Sequence, residues 1–326
     1  MKICPKFKIL NPPTNRCVNI NGKIGKKIIN KDYNIKISND GNNSCYLDSL
    51  VVALFHFKNR VVYNTFFKNK LISNYASKIQ EELFKIYKYI NKNENMETNK
   101  CYLLRRYLDK YYNELINDNS NNQIFFNNSD DNWLTKQVDV FELITFFDKI
   151  FDFKYCIKIK EGSRSYYKNM ILDISQYYLM KNKSLDISTL IPYRIENYEL
   201  DYKNYYRDKK GKLIKTYEKT YEIKKTNGIL IIEIYRNDGR EGKLNTKIIY
   251  PNTITIKGDK KELKLRSLIL HKGSTINSGH YTTILKRDDK TYEYDDILSS
   301  ENKLREIDEE YEEKMRKNVV VLIYSR

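Results

Sequence analysis

Two residues are best placed by type and context to do chemistry: Cys45 and His280. Cys45 stands directly before a run with apolar residues at 47, 50, 51, 54 and 55, the spacing of one helix face. The spacing predicts a helix opening near Tyr46, with Ser44 as its N-cap and Asp48 in the first turn. Backbone amides and the helix dipole converge at such a start. They can lower a thiol from a pKa of about 8.5 to below about 7.5 and can hold an oxyanion. Taken alone, a cysteine before a helix also reads as a small buried apolar side chain.

His280 lies in HKGSTINSGHYTTILKRDDKTYEYDD, close to His271. Gly279 lets the backbone approach closely beside it. YTTIL and TYEYD read as two strands. A four-residue loop at 286–289 pairs Leu285 with Lys290 and sets His280 opposite Asp295. Facing side chains lie about 4.5–5.5 Å apart at Cβ. Asp295 can then hold one imidazole nitrogen and leave the other for Cys45. A slip of one residue brings in Asp296 or Glu293, and Asp295 and Asp296 also read as a solvated strand end.

These residues need a scaffold. The 326 residues can bury a large core. Helices are predicted near 47–55, 76–90 and 137–150, the last burying Val138, Phe141, Ile144, Phe147 and Phe146 or Ile150. Between 91 and 135 the chain is rich in Asn, Asp and Lys, and its runs NDNSNN and NNSDDN read as surface loops. Short alternating runs follow at 168–175, 229–235, 247–256, 263–270, 281–285, 291–294 and 319–324. Helices followed by strands indicate an α+β fold. No apolar run approaches the ~20 residues that span a bilayer, and the start MKICPKFKIL has no long apolar core. The expectation is a soluble chain with no membrane partner.

The net charge is +17, with Lys scattered along the chain. A nucleic-acid-binding protein would carry a charged stripe with interleaved aromatics, which this sequence lacks. Cysteines stand at 4, 17, 45, 101 and 156, without a C-x-x-C pair, so no metal site is expected. Their odd number argues against a disulfide framework. Residues 1–38 carry nine Lys/Arg against one Asp. That excess reads either as a solvated basic leader or as an electrostatic docking arm.

Several segments resemble a known family. GNNSCYLDSLVVALFHF resembles the Cys box of ubiquitin-specific proteases, NSCYLDS especially that of the cylindromatosis-type branch. KQVDVFELITFFDKI resembles the Gln-x-Asp-Ala-x-Glu-Phe box, with Gln137, Asp139 and Glu142 in place. GILIIEIYRND and KIIYPNTITI resemble two palm strands, HKGSTINSGHYTTIL with YEYDD the His box, and KNVVVLIYSR the closing strand. CPKFKILNPPTNRCVNINGKIGKKI resembles a two-cysteine adaptor motif found beside catalytic domains in large DNA viruses of eukaryotes.

The resemblance implies an adaptor-like module at 1–31 and a papain-like catalytic domain at 37–326. The domain would comprise a helical thumb about 40–150, reduced fingers about 151–227 and a β-rich palm about 228–326. It implies a deubiquitinase that cleaves after the C-terminal Gly-Gly of ubiquitin, without cofactor. Cys45 would be nucleophile, His280 base and Asp295 the orienting acid, with Asp296 as fallback. Gln137, Asp139, Gly279 and Tyr281 would bind substrate, Tyr281 as a wall of the Gly-Gly channel. The expected setting is the host cytoplasm or the virion, with a docking partner for the N-terminal module. Two departures stand out. Asp40 occupies the place of an oxyanion-stabilising Asn, which passes that role to Asn39 or to backbone amides. The stretch 151–227 is short and lacks paired cysteines. The rival readings are a ubiquitin-binding pseudoenzyme and a protease for another ubiquitin-like modifier.

Overall fold

The computed structural model describes residues 8–11, 16–19, 35, 37–41, 43–92, 101–117, 138–152, 155–161, 164–170, 172–174, 176–191, 193–199, 206–207, 213–214, 216–238, 242–256, 261–287, 289–299 and 303–326. Gln137 lies outside them.

A short antiparallel hairpin, β1 (Lys8–Asn11) and β2 (Arg16–Asn19), opens the chain. Cys17 on β2 is disulfide-bonded, contrary to the expectation drawn from the odd count. Folding a short segment back on itself brings local partners together whatever the total number of cysteines.

Among the described residues, five helices follow: α1 (Cys45–Phe55), α2 (Arg60–Phe67), α3 (Asn74–Lys92), α4 (Tyr102–Asn117) and α5 (Val140–Phe151). α4 is not among the predicted helices; it precedes the runs NDNSNN and NNSDDN, which lie outside the described residues but for Asn117. Its apolar residues Leu104, Leu108 and Tyr112 recur at helical spacing and are buried, a pattern masked by the flanking polar runs. α1 is not amphipathic, since every residue from Cys45 to Phe55 is buried. In α5, Phe141 is only half-buried, and Val140, Leu143 and Phe151 belong to the core with the other expected residues.

The next strands are β3 (Tyr155–Glu161), β4 (Arg164–Met170) and β5 (Leu172–Ile174). The short helix α6 (Gln176–Lys181) leads to β6 (Ser184–Asp186), β7 (Tyr193–Glu199), β8 (Tyr206–Arg207), β9 (Leu213–Ile214) and β10 (Thr216–Lys225). β4-β3-β10-β7 form a small four-stranded sheet within the stretch 151–227. The remaining elements are β11 (Ile229–Ile234), β12 (Lys247–Ile249), β13 (Thr253–Ile256), β14 (Lys261–Lys272), β15 (His280–Arg287), β16 (Lys290–Tyr294), β17 (Leu304–Ile307), α7 (Glu309–Met315) and β18 (Val319–Ser325). An eight-stranded sheet runs β17-β16-β15-β14-β18-β11-β5, with β13 also on β14.

This sheet and the helices clamp α1 between them. α1 packs on β14 and β15 on one side and on α3 and α5 on the other. Thr283 donates to the Ser49 carbonyl at 3.0 Å and Ser267 to the Ala53 carbonyl at 2.8 Å, fixing the helix to the sheet. The architecture is the α+β arrangement of helical thumb and β palm. Among the described residues, no helix is long and apolar enough to cross a membrane.

Candidate active site

Cys45 is the first residue of α1, where amides have no acceptor within the helix. Ser44 does not cap with its side chain; its own backbone is already helical at φ −82° and ψ −3°. Its carbonyl takes the amides of Leu47 and Asp48 at 2.9 and 3.0 Å. Its hydroxyl accepts the Asp40 amide at 3.0 Å and donates to Asp48 Oδ2 at 2.6 Å. The loop before it turns through left-handed backbone at Gly41 (φ +87°) and Asn43 (φ +60°). That turn aims the start of α1 at the cleft.

His280 opens β15. The hairpin pairs Thr283 with Tyr294 and Arg287 with Lys290, so residues 288–289 alone lie between the paired strands. The expected four-residue loop is therefore corrected, and His280 does not face Asp295 across the ladder. A shift of two residues keeps every side chain on its face, and β16 ends at Tyr294, where the chain turns. Asp295 reaches back from that turn. Its Oδ1 meets His280 Nε2 at 2.8 Å and accepts the Ile297 amide at 3.2 Å. Asp296 Oδ1 is 3.4 Å from the same nitrogen. With Nε2 held there, the other imidazole nitrogen is left for the Cys45 thiol, which lines the same cleft and acts on the ring electrostatically.

Burial pulls the His280 pKa down, but the hydrogen bond to Asp295 and the influence of Cys45 outweigh it and lift it to about 10. Burial raises the Asp295 carboxyl, and the His280 contact reverses this, holding it below its ordinary value. A protonated imidazole between a carboxylate and a thiol is the arrangement that ionises a cysteine and lets it attack a carbonyl.

A cleft of about 440 Å³ opens over these groups, lined by residues including Asn39, Gly41, Asn43, Gly279, Asp296 and Ile297. A larger cavity, about 1120 Å³, is lined by charged side chains of β14, β17 and α7, and contains none of the reactive groups. The chemistry is placed in the smaller cleft.

The residues flagged for the oxyanion do other work. Asp40 forms an ion pair with Arg105 at 2.5 Å, with side chains 2% and 0% exposed. Asn39 Nδ2 donates to Asp296 Oδ2 at 2.7 Å, and its Oδ1 accepts the Gly41 amide at 2.8 Å. Neither side chain is left to face an oxyanion, so the amides at the start of α1 are the available donors. Arg105 lies far from both boxes in sequence, and nothing there marked it. Lys303, donating to the Asp296 carbonyl at 2.8 Å and Ser38 Oγ at 2.7 Å, was missed for the same reason.

Among the expected substrate residues, Gly279 lines the cleft. A Cβ there would stand 2.6 Å from the Lys272 carbonyl oxygen and 2.6 Å from His271 Nε2. Tyr281 is buried; its ring lies 4.8 Å from that of His271 and its hydroxyl donates to Asp139 Oδ1 at 3.3 Å. Asp139 caps α5 through the Phe141 amide at 3.1 Å. Tyr281 and Asp139 line a separate small cavity with Phe141 and Lys243. Among the described residues, His280, Asp295 and Asp296 are the group whose spacing could hold a metal, their ligand atoms lying within 4.8 Å.

Comparison with known proteins places this geometry in a family. The family model "Ubiquitin carboxyl-terminal hydrolase" matches residues 35–324. No curated protein sequence matches the chain at a significant level. A solved structure of the SAGA Ubp8/Sgf11/Sus1/Sgf73 DUB module bound to ubiquitin aldehyde is similar at TM-score 0.59 and 15% identity, covering 96% of this chain and 77% of that one. The same module bound to monoubiquitin gives TM-score 0.59 and 14% identity over the same shares, 96% and 77%. At such identities the likeness speaks for the fold. The family match spans nearly the whole described catalytic region, and the chain belongs to the ubiquitin carboxyl-terminal hydrolase family of thiol-dependent proteases.

Proposed function

We propose that this deubiquitinase hydrolyses the peptide or isopeptide bond after the C-terminal Gly-Gly of ubiquitin, with Cys45 as nucleophile, His280 as base and Asp295 as orienting acid. The observation that carries the reading is one imidazole bonded to Asp295 at 2.8 Å and sharing a cleft with the thiol of Cys45, at the start of a buried helix. In this reading His280 takes the Cys45 proton and the thiolate attacks the scissile carbonyl carbon. First-turn amides of α1 hold the oxyanion. His280 then protonates the leaving amine, giving a thioester. Water, deprotonated by His280, attacks the thioester and frees the ubiquitin carboxylate and the thiol.

The Arg105 pairing supports activity over a pseudoenzyme, because it neutralises the Asp40 charge that would repel an oxyanion. Gly279 lines the cleft beside the base, and Asp139 and Tyr281 are assigned to the channel wall by the family resemblance. Gln137 is assigned to the same channel by motif alone. Ubiquitin is favoured as the modifier because both similar structures hold it. The resemblance of residues 1–31 to a viral adaptor motif supports a large-DNA-virus protein acting in host cytoplasm or virion. In that reading 1–31 docks a partner, 37–326 is catalytic and 151–227 forms reduced fingers.

The test is a ubiquitin probe with a C-terminal electrophile. An adduct that disappears in Cys45→Ala supports the enzyme. Tight ubiquitin binding with neither adduct nor turnover selects the pseudoenzyme, and an adduct with a different modifier alone selects the other protease.

A further inference from the structure

Behind His280 lie two buried carboxyls, Asp48 on α1 and Asp296 in the turn after β16, the first wholly buried and the second 2% exposed. Each carboxyl acts on the electrostatics of the other. Asp48 Oδ2 accepts the Ser44 hydroxyl at 2.6 Å, and Asp296 Oδ2 accepts the Asn39 amide at 2.7 Å. The Oδ1 of each is shielded from water and has no donor assigned to it. Two carboxylates cannot hydrogen-bond each other, and a buried unpaired charge is costly. One proton between them satisfies both groups, as in paired carboxyls that cannot both ionise.

We propose that Asp48 holds this proton and donates it to Asp296, making Asp48 a positioning residue that locks the loop of Cys45 to the acid side of His280. The surroundings assign the proton to Asp48. Asp296 faces His280 at 3.4 Å and its backbone receives Lys303, so a negative charge is stabilised there. Asp48 faces Ser44, the Cys101 thiol on the lead-in to α4, and the buried ring of Tyr294; Lys303 acts on it through space but donates its hydrogen bond to the Asp296 carbonyl. Burial, with Asp296 adding to it, raises the Asp48 carboxyl well above its usual range.

The consequence is a closed circuit. Asp48 holds Ser44, whose hydroxyl fixes the Asp40 amide. Asp48 also holds Asp296, which fixes Asn39, whose carbonyl fixes the Gly41 amide. Both ends of the loop before Cys45 are thereby tied to the turn carrying Asp295. This inference rests on the proposed roles of Cys45 and His280 for its kinetic arm but not for its spectroscopic one, so the two can fail separately.

Infrared difference spectra of the full chain at neutral pH, wild type minus Asp48→Asn, should contain the C=O stretch of a protonated carboxyl. Its absence overturns the shared proton, and this readout needs no activity. In turnover, Asp48→Asn, which still donates to Asp296, should keep kcat within about threefold, whereas isosteric Asp48→Leu should lose about 10²-fold in kcat with KM unchanged. A folded Asp48→Leu with full kcat overturns the positioning role, as does an Asp48→Asn that loses as much as Leu. Should Asp48→Leu not fold, the Asp48→Asn kinetics and the infrared band decide.

Discussion

Arg105 and Asp40 form a buried ion pair at 2.5 Å that joins α4 to the loop before Cys45. The guanidinium also bonds Tyr46 and lies over its ring at 5.8 Å. Removing one partner leaves a buried charge uncompensated, at a cost of about 3–5 kcal/mol. Arg105→Met should therefore lower unfolding stability by that amount and depress kcat, because the bare Asp40 carboxylate then opposes oxyanion formation. Adding Asp40→Asn should recover part of both losses. Denaturant unfolding and steady-state kinetics of the two variants test this; an Arg105→Met as stable as wild type would refute it.

His280 contacts Asp295 at 2.8 Å and Asp296 at 3.4 Å, so the two acids are unequal. Asp295→Ala should lower kcat by about 10²-fold or more, in the range of general acid–base catalysis. Asp296→Asn should cost less, since an amide oxygen can still accept from Asn39. Hydrolysis of a ubiquitin fluorogenic ester or amide ranks them, and the reverse order would move the orienting role to Asp296.

The folded His280 pKa of about 10 exceeds its ordinary value of 6.5. A raised pKa stabilises the fold fully below the unfolded value and loses that effect as pH rises through the folded one. Asp295, held below its ordinary 3.8, adds stability above that value and loses it as pH falls through the lowered one. The melting-temperature gap between wild type and His280→Gln should thus be widest near pH 5–6 and close towards about pH 10. A gap constant across this range contradicts the paired state.

Gly279 and Gly41 should respond differently to alanine. At Gly279 a Cβ would strike the Lys272 carbonyl oxygen at 2.6 Å, and backbone must move. Gly279→Ala should shift His280 and cost about 10²-fold in kcat. At Gly41 no atom lies within 4 Å of the added Cβ, but φ is +87°. Gly41→Ala should carry the backbone strain alone, about 1 kcal/mol or somewhat more in unfolding stability.

Both halves of the site were readable where local pattern carries the information. Cys45 before an apolar run and His280 after a glycine are short-range signals. The Asp295 assignment came through a hairpin register two residues off. Asp295 contacts His280 all the same, because side-chain facing repeats every two residues and the turn brings it back. The contacts of Asp40 and Asn39 were not legible for a different reason. Their roles depend on Arg105 and Asp296, partners 65 and 257 residues away, and no local spacing reports such contacts. α1 likewise looked amphipathic because Ser49 and Asp48 are polar, yet both are buried by partners distant in sequence. The small four-stranded sheet went unnoticed apart from β4, since β3 and β10 alternate Lys and Glu with apolar residues in a tract already crowded with charge.

The burial of α1 on every face sets how the site can come apart. A helix with one free side can fray or swing while the rest of a protein stays folded. α1 is the wedge between sheet and helices, so freeing it means separating the two halves of the domain. Its interior amides belong with the slowest-exchanging set, which opens only with the whole molecule. Nucleophile alignment and global cohesion are then one cooperative property, and agents that loosen the core disarm the thiol at the same step.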